Sequence, residues 1–281
     1  MHSRSIPELW FGLSATRAAR QPLSTSIPQP FGQRNLLQPF YIKSPTFAAR
    51  INTSIPYQIH SVNIHQEWVR LCIPDQLAIK EIYAQSATTN PSFPYWAKLW
   101  PSSLALSEWL IQHPQVYREK TVHEIAAGLG LPGILAAREA ASVLISDYDP
   151  EAVRFIEANL KLNPELKAKT CCINWKHPEA FEATDILLLS DINYNPADYP
   201  DLYNLFNYHL NQQSCIILST PERLQGRLFL ETIAVDCIHH EVVQSGNEPI
   251  HILIYAKTSA ATSIRHFFKL FSEKGISGEP F

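Results

Sequence analysis

The chain has 281 residues, of which 46% are hydrophobic and 17% are charged, and its formal net charge is −3. This hydrophobic fraction can build a sizeable core, in one large domain or two small ones, and the small negative charge disfavours a general nucleic-acid-binding protein. On the charge we expect no nucleic-acid partner. No apolar run approaches the ~20 residues of a membrane-spanning helix, so we also expect no membrane segment. The five cysteines form no C-x-x-C pair and the eleven histidines form no H-x-x-x-H pair, so we expect no metal site.

Residues 1–55 differ in composition from the rest of the chain. Prolines interrupt any long element there, and Glu8 is the only acid among several arginines and lysines. We predict a disordered tail and a cytoplasmic protein. The same arginine-rich, acid-poor composition is typical of an organelle transit peptide, so an organelle matrix is the alternative location.

The stretch 57–73 is rich in strand-forming residues, and Pro74 ends it. Asp75 is a suitable N-cap for a short helix that follows, whose apolar members are Leu77, Ile79 and Ile82. We interpret residues 56–100 as a small N-terminal lid ahead of the main fold.

The segment 93–101, FPYWAKLWP, is dense in aromatic residues and leads into a predicted helix over 102–112. Aromatic content alone favours a plug in the core. The position of the segment just before a glycine-rich turn favours a second interpretation, in which Trp100 and its neighbours cover a ligand.

The stretch 121–149 is predicted to form a strand, a glycine turn, a helix and a second strand. Gly128, Gly130 and Gly133 have G-x-G-x-x-G spacing, which lets a backbone turn tightly and approach a ligand, and which dinucleotide-binding folds share. Glu124 ends the first strand, where a carboxylate suits the ammonium of an amino acid better than a pyrophosphate. Asp147 ends the second strand, where an acid can accept both hydroxyls of a ribose. The alternative is a glycine turn without a ligand.

Apolar runs and turn residues predict the remaining elements. In chain order they are a helix from 149, strands over 171–174 and 185–189, a helix over 200–210, a strand over 215–218, a helix over 221–233, a hairpin of strands over 238–243 and 250–255, and an amphipathic helix over 264–271. The strand over 185–189 is mainly apolar, as expected inside a parallel sheet. Asp191 and Tyr194 follow it at D-x-x-Y spacing, which on its own is typical of a polar strand end and a turn.

These motifs together resemble a known family. The glycine turn with its two acids resembles the class I S-adenosylmethionine-dependent methyltransferases. The segment PYWAKLWPSSLALSEWL, the turn and the D-x-x-Y motif, over residues 60–257, are similar to the seven-β-strand lysine methyltransferase and nicotinamide N-methylase-like group. The resemblance implies an α/β fold, a doubly wound, mostly parallel, Rossmann-like seven-stranded sheet with a C-terminal antiparallel hairpin. The methyltransferase domain would span 56–258, followed by a helix and tail over 259–281.

The resemblance also implies S-adenosylmethionine as cofactor and two sets of site residues. The cofactor-binding set is Trp100, Glu124, Gly128, Gly130, Asp147, Asn174 and Trp175, and the catalytic set is Asp191 and Tyr194. Glu124 and the backbone of Gly128 and Gly130 would hold the methionine part and Asp147 the ribose. Asn174 and Trp175 would border the adenine, Trp100 would cover the cofactor, and the catalytic pair would form the floor of an acceptor slot.

We therefore predict methyl transfer to an amine, most simply to a lysine of a protein substrate, by a monomeric enzyme. A small amine such as nicotinamide is the alternative acceptor. Two other classes stay open: an NAD(P)-dependent oxidoreductase, which the three glycines allow, and a binding module that keeps the fold without catalysis.

Overall fold

The computed structural model describes residues 41–43, 51–86 and 93–257, all of which belong to one unit, Leu36–Phe281. The predicted helix over 264–271 and the tail over 259–281 lie outside the described residues, as does most of the predicted N-terminal tail. Two stretches of that tail are described. Tyr41–Lys43 is a strand, β1, and the Thr53 hydroxyl donates a hydrogen bond to Glu151 at 2.9 Å. The predicted disorder of the tail as a whole stays a prediction.

The main sheet has seven strands in the order β6-β5-β4-β7-β8-β10-β9. Their bounds are Thr121–Ile125 for β4, Ser142–Asp147 for β5, Lys169–Cys172 for β6, Ile186–Ser190 for β7, Cys215–Pro221 for β8, Cys237–Ser245 for β9 and Glu248–Tyr255 for β10. The first five strands in this order pair in parallel, whereas β10 is antiparallel to both β8 and β9. The predicted mostly parallel sheet with a closing hairpin is confirmed.

Helices cover both faces of this sheet. Their bounds are Pro101–Gln112 for α2, Leu131–Ala136 for α3, Pro150–Leu162 for α4, Tyr199–Asn211 for α5 and Leu224–Ile233 for α6. Alternate residues of β7 point to opposite faces. Leu188 packs in the core under α2 and α3, while Leu187 and Leu189 pack in the core under α5 and α6. The central strand is buried on both sides for this reason.

The predicted bounds of β8, α6 and β6 differ from the structure. Strand β8 continues to Pro221, so α6 begins three residues later than predicted. Strand β6 ends at Cys172 rather than 174, and it lies at the edge of the sheet, where Cys171 and Cys172 are exposed. The apolar, strand-like surroundings of Cys171 in the sequence predict a buried thiol, and this prediction was wrong.

A second sheet of three antiparallel strands precedes the main one. Strand β1 pairs with β2 (Tyr57–Ile64), which forms a hairpin with β3 (Glu67–Pro74). The turn residues His65 and Gln66 both have positive φ, at 47° and 74°, as two-residue hairpins that match strand twist require. Helix α1 (Gln76–Ser86) follows, and Asp75 caps it as predicted, accepting from the backbone amides of residues 77 and 78.

Two asparagines attach this sheet to the main fold: Asn159 lies in α4, and Asn163 is the residue that caps the C-terminus of this helix. Asn159 Oδ1 accepts from the Cys72 amide at 2.7 Å, and its Nδ2 donates to the Leu129 carbonyl at 3.0 Å. Asn163 Oδ1 accepts from the Arg70 amide at 3.0 Å, and its Nδ2 donates to the Arg70 carbonyl at 2.8 Å. Helix α4 thus binds the backbone of β3 on one side and the glycine turn on the other.

Within the described ranges, no helix combines the length and apolar character that crossing a membrane requires.

Candidate functional site

A cavity of about 340 Å³ opens at the carboxyl ends of the parallel strands. Ligands of open α/β sheets bind at this edge, and the volume lies in the range of small-molecule sites. Most of its wall comes from the aromatic segment before α2, the turn after β4, and the residues that follow β5, β7 and β8. Its lining includes Tyr95, Trp96, Lys98, Trp100, Gly128, Asp147, Tyr148, Trp175, Asp191, Tyr194, Asp198 and Arg223.

The turn after β4 has the conformation that its glycines predict. Gly128 has φ +59° and Gly130 has φ +75°, values that favour glycine. A Cβ on Gly128 would lie 3.2 Å from the Trp96 carbonyl oxygen, so the aromatic segment packs directly on the turn. Gly130 is not a lining residue, and a Cβ there would meet Ile145 and Ile156 at 3.2 Å. Gly128 therefore borders the cavity, whereas Gly130 shapes the turn. The predicted cofactor contact of Gly130 stays a prediction.

Glu124 lies beneath this turn and not in the cavity wall. It is 1% exposed, and its Oε2 accepts from the Gly133 amide at 2.7 Å. Burial raises the pKa of Glu124 to about 8, so the carboxyl group is neutral at pH 7. Its Oε1 has no hydrogen-bond partner among the described residues. Glu124 therefore braces the turn. Its predicted contact with the methionine part of the cofactor stays a prediction.

Asp147 combines a place in the cavity wall with a bond to the same turn. Its Oδ2 accepts from the Gly128 amide at 2.9 Å and its Oδ1 from the Asp149 amide at 3.0 Å. Burial raises the pKa of Asp147 to about 6, against the opposing effect of these two hydrogen bonds. Each carboxylate oxygen retains capacity for a further donor, so Asp147 fits the predicted contact with ribose hydroxyls.

The aromatic segment closes the cavity on one side. Tyr95–Ala97 is a 3-10 turn, and Trp100 Nε1 donates to the Tyr95 carbonyl at 2.7 Å. Lys98 Nζ lies 4.4 Å from the centre of the Trp100 ring. Trp96 is buried, and its Nε1 has no hydrogen-bond partner within the described part of the chain. Trp100 lines the cavity, as its predicted covering role requires.

The two residues predicted to border adenine occupy different positions. Trp175 is 8% exposed and lines the cavity. Asn174 is exposed, its Oδ1 accepts from the Lys176 amide at 3.2 Å, and it is not a lining residue. Because β6 ends two residues earlier than predicted, Asn174 falls in the turn after the strand. Its predicted adenine contact stays a prediction.

The end of β7 carries the predicted catalytic pair. Asp191 has φ +54° and is 9% exposed, and its carboxylate binds the Arg223 guanidinium through both oxygens. The Tyr194 ring packs against Tyr95, with 4.9 Å between the ring centres. Burial raises the pKa of Tyr194 to about 12, so its phenol stays protonated at neutral pH. Asp191 and Tyr194 therefore share one cavity with the glycine turn and Asp147.

Arg223 was not predicted from the sequence. It follows β8, the neighbour of β7, and it brings a cation to the same edge of the sheet. The only hint in the sequence is that Arg223 follows an apolar strand. Arginines in that position are usually exposed to solvent, so the pattern does not indicate a site residue. Among the described residues, no group of three or more candidate ligands could hold a metal ion.

Comparison with known proteins identifies the family. A family model described as lysine methyltransferase matches residues 80–236. The chain belongs to the lysine methyltransferase family. This assignment excludes the NAD(P)-dependent oxidoreductase that the three glycines alone allow.

Several relatives of this methyltransferase are named for their substrates. Protein N-lysine methyltransferase METTL21A of Xenopus tropicalis is 28% identical over 207 residues, which cover 72% of this chain and 86% of that protein. The electron transfer flavoprotein beta subunit lysine methyltransferase of Mus musculus is 33% identical over 137 residues, covering 48% and 53%. Histone-arginine methyltransferase METTL23 of Xenopus laevis is 32% identical over 114 residues, covering 38% and 49%. The chain thus spans about half the length of the last two relatives.

A solved structure supports the fold. The crystal structure of SMU.776, a protein proposed to be a methyltransferase and complexed with SAH, aligns with a TM-score of 0.51 at 12% identity. The alignment covers 70% of this chain and 56% of that chain. At this identity the similarity shows the fold alone.

The cofactor of this methyltransferase is S-adenosylmethionine, and the cavity residues fit it. Gly128 gives a close backbone approach, and Asp147 retains acceptor capacity for hydroxyl groups. Trp96 offers a buried donor without a partner among the residues described, and Trp175 adds an apolar wall. Bound there, the cofactor would supply a methyl group on a positively charged sulfur. An acceptor would form a bond to the methyl carbon as the carbon–sulfur bond breaks and the neutral thioether leaves.

Proposed function

We propose that this methyltransferase modifies the side-chain amine of a lysine in a protein substrate. The observation that carries the proposal is that Asp191 and Tyr194, at the end of β7, line the same cavity as the cofactor-fitting residues Gly128 and Asp147. The names of METTL21A and of the flavoprotein methyltransferase support a protein lysine as acceptor.

The residues of the slot account for the requirements of the reaction. A lysine nucleophile must be neutral, and partial burial beside the packed Tyr95 and Tyr194 rings lowers the pKa of an amine. Asp191 can accept a hydrogen bond from the amine and so fix its position. Tyr194 is protonated at neutral pH, so it serves as a wall and hydrogen-bonding group and not as the base. Placing the amine and the cofactor's methyl group in this way can supply much of the rate enhancement.

The test uses labelled cofactor and an extract of cells that lack the gene. The full chain is incubated with the extract and S-adenosylmethionine carrying a tritiated methyl group, and labelled products are identified by mass spectrometry. We expect the label on lysine in a protein. Asp191→Ala should reduce the label about 10²-fold, whereas Glu179→Ala, which changes an exposed acid outside the cavity, should retain it.

Two outcomes would contradict the proposal. Label confined to small molecules would show that the acceptor is a small amine such as nicotinamide. Label on arginine would align this chain with METTL23, which is named as a histone-arginine methyltransferase. We further propose that the enzyme is monomeric, which sedimentation of the full chain would test.

A further inference from the structure

The ion pair between Asp191 and Arg223 is a built feature of the acceptor slot. Arg223 Nη2 donates to Asp191 Oδ2 at 2.8 Å, and Nη1 donates to Oδ1. The Asp191 side chain is 10% exposed and that of Arg223 is 36% exposed. A two-point contact of this kind fixes the orientation of the carboxylate as well as neutralising it.

The backbone on both sides holds the pair in place. The Asp191 amide donates to the Ser219 carbonyl of β8 at 2.8 Å, and the Arg223 carbonyl accepts from the Arg227 amide at 3.1 Å. Gly226 of α6 approaches the turn after β7 so closely that a Cβ would lie 3.1 Å from Asn193 Nδ2. The pair therefore differs from an exposed ion pair between mobile side chains.

The charges around Asp191 determine whether the slot stabilises the ammonium form or the neutral form of an amine. Burial and the Glu248 carboxylate of β10 raise the pKa of Asp191, and Arg223 opposes them. Asp147, Asp198 and Lys98 are other charged residues of the cavity wall. An ionised carboxylate without a partner stabilises an adjacent ammonium, which has no lone pair for displacement. A carboxylate that is already paired with a cation can still accept a hydrogen bond from the amine, but it stabilises the ammonium over the neutral amine far less.

We propose that Arg223 is a positioning residue that fixes the Asp191 carboxylate and cancels its charge, so that the slot binds an amine without stabilising its ammonium form. This inference rests on the proposed function, because it assigns the pair to the acceptor slot. It adds a role for a residue outside the D-x-x-Y motif.

The test compares two cofactor forms and needs no acceptor. S-adenosylmethionine carries a positive charge on sulfur and S-adenosylhomocysteine does not, while the rest of the two molecules is the same apart from the methyl group. Calorimetry at pH 8.5 gives the ratio of their affinities for the full chain. In Arg223→Gln the Asp191 carboxylate has lost its partner, so the affinity for S-adenosylmethionine relative to S-adenosylhomocysteine should rise about tenfold. This is the factor that corresponds to one pKa unit. Arg223→Lys keeps the charge and should stay near the wild-type ratio. Arg227→Gln, which changes an exposed arginine of α6, should leave the ratio unchanged.

An unchanged ratio in Arg223→Gln would overturn the inference, since it would show that the pair does not act at the transferred methyl group. Failure of the wild-type chain to bind S-adenosylmethionine would instead overturn the proposed function. If Arg223→Gln does not fold, Asp191→Asn provides the same test with the opposite sign. It leaves Arg223 without its partner, so the affinity for S-adenosylmethionine relative to S-adenosylhomocysteine should fall about tenfold. An unchanged ratio in that variant would also overturn the inference.

Discussion

Replacement of Asn159 by alanine should destabilise the fold strongly, because one side chain connects three parts of it. The substitution leaves the Cys72 amide and the Leu129 carbonyl without their hydrogen bonds, and both residues are at most 2% exposed. Each buried group without a partner costs about 1–3 kcal/mol, and the higher helix propensity of alanine returns about 0.5 kcal/mol. We expect a net loss of about 2–5 kcal/mol, which is a large part of the stability of a typical domain.

Urea unfolding of the full chain would measure this loss, with an unchanged dependence of stability on urea concentration as evidence that only the folded state is affected. Glu157→Ala is the matched control, because Glu157 lies on the exposed face of the same helix and should change stability by about 0.5 kcal/mol at most. A loss below about 1 kcal/mol for Asn159→Ala would refute the argument. It would show that water or a shift of β3 satisfies the two backbone groups.

Three further predictions concern the site and the core. Asp191→Ala should keep the affinity for the uncharged S-adenosylhomocysteine within a few fold and reduce methyl transfer about 10²-fold, as measured with labelled cofactor. Equal losses in both would assign Asp191 to the cofactor site instead. Gly128→Ala should weaken binding of S-adenosylmethionine in calorimetry, because the added Cβ would press on the Trp96 backbone. The control is Gly246→Ala, which has a similar φ of +63° with nothing within 4 Å and should bind like the wild type. Equal affinities of the two variants would contradict the role of Gly128. His209 is fully buried, and burial lowers its pKa to about 4, so the unfolded chain takes up a proton first as the pH falls below 6.5. Stability relative to His209→Phe should therefore fall by up to about 3 kcal/mol between pH 6.5 and 4, and a constant difference in urea unfolding would exclude this effect.

The sheet and the position of the site could be predicted from the sequence because local patterns determine them. The apolar run of β7, the glycines after β4 and the acid Asp147 all indicate their environment through residue type and spacing. The β2–β3 turn could not be predicted in the same way. His65 and Gln66 adopt positive φ without the glycine or asparagine that usually marks such a turn.

Parts of the site depend on tertiary packing, which local patterns do not show. Gly133 lies so close to Glu124 that the carboxyl group accepts a hydrogen bond from its amide inside the turn. Asn174 lies outside the cavity wall, and β6 ends two residues earlier than predicted. Arg223 escaped prediction because its partner Asp191 is distant in sequence and meets it only through the β7–β8 pairing.

The bonds from Asp147 to Gly128 and from Glu124 to Gly133 have a thermodynamic consequence for cofactor binding. Both carboxyl groups hold the glycine turn through contacts within the chain, so its conformation does not depend on a ligand. Ordering a loop on association reduces affinity through lost conformational entropy. A turn whose shape is already fixed avoids most of that loss, and more of the contact energy with the cofactor is then retained as affinity.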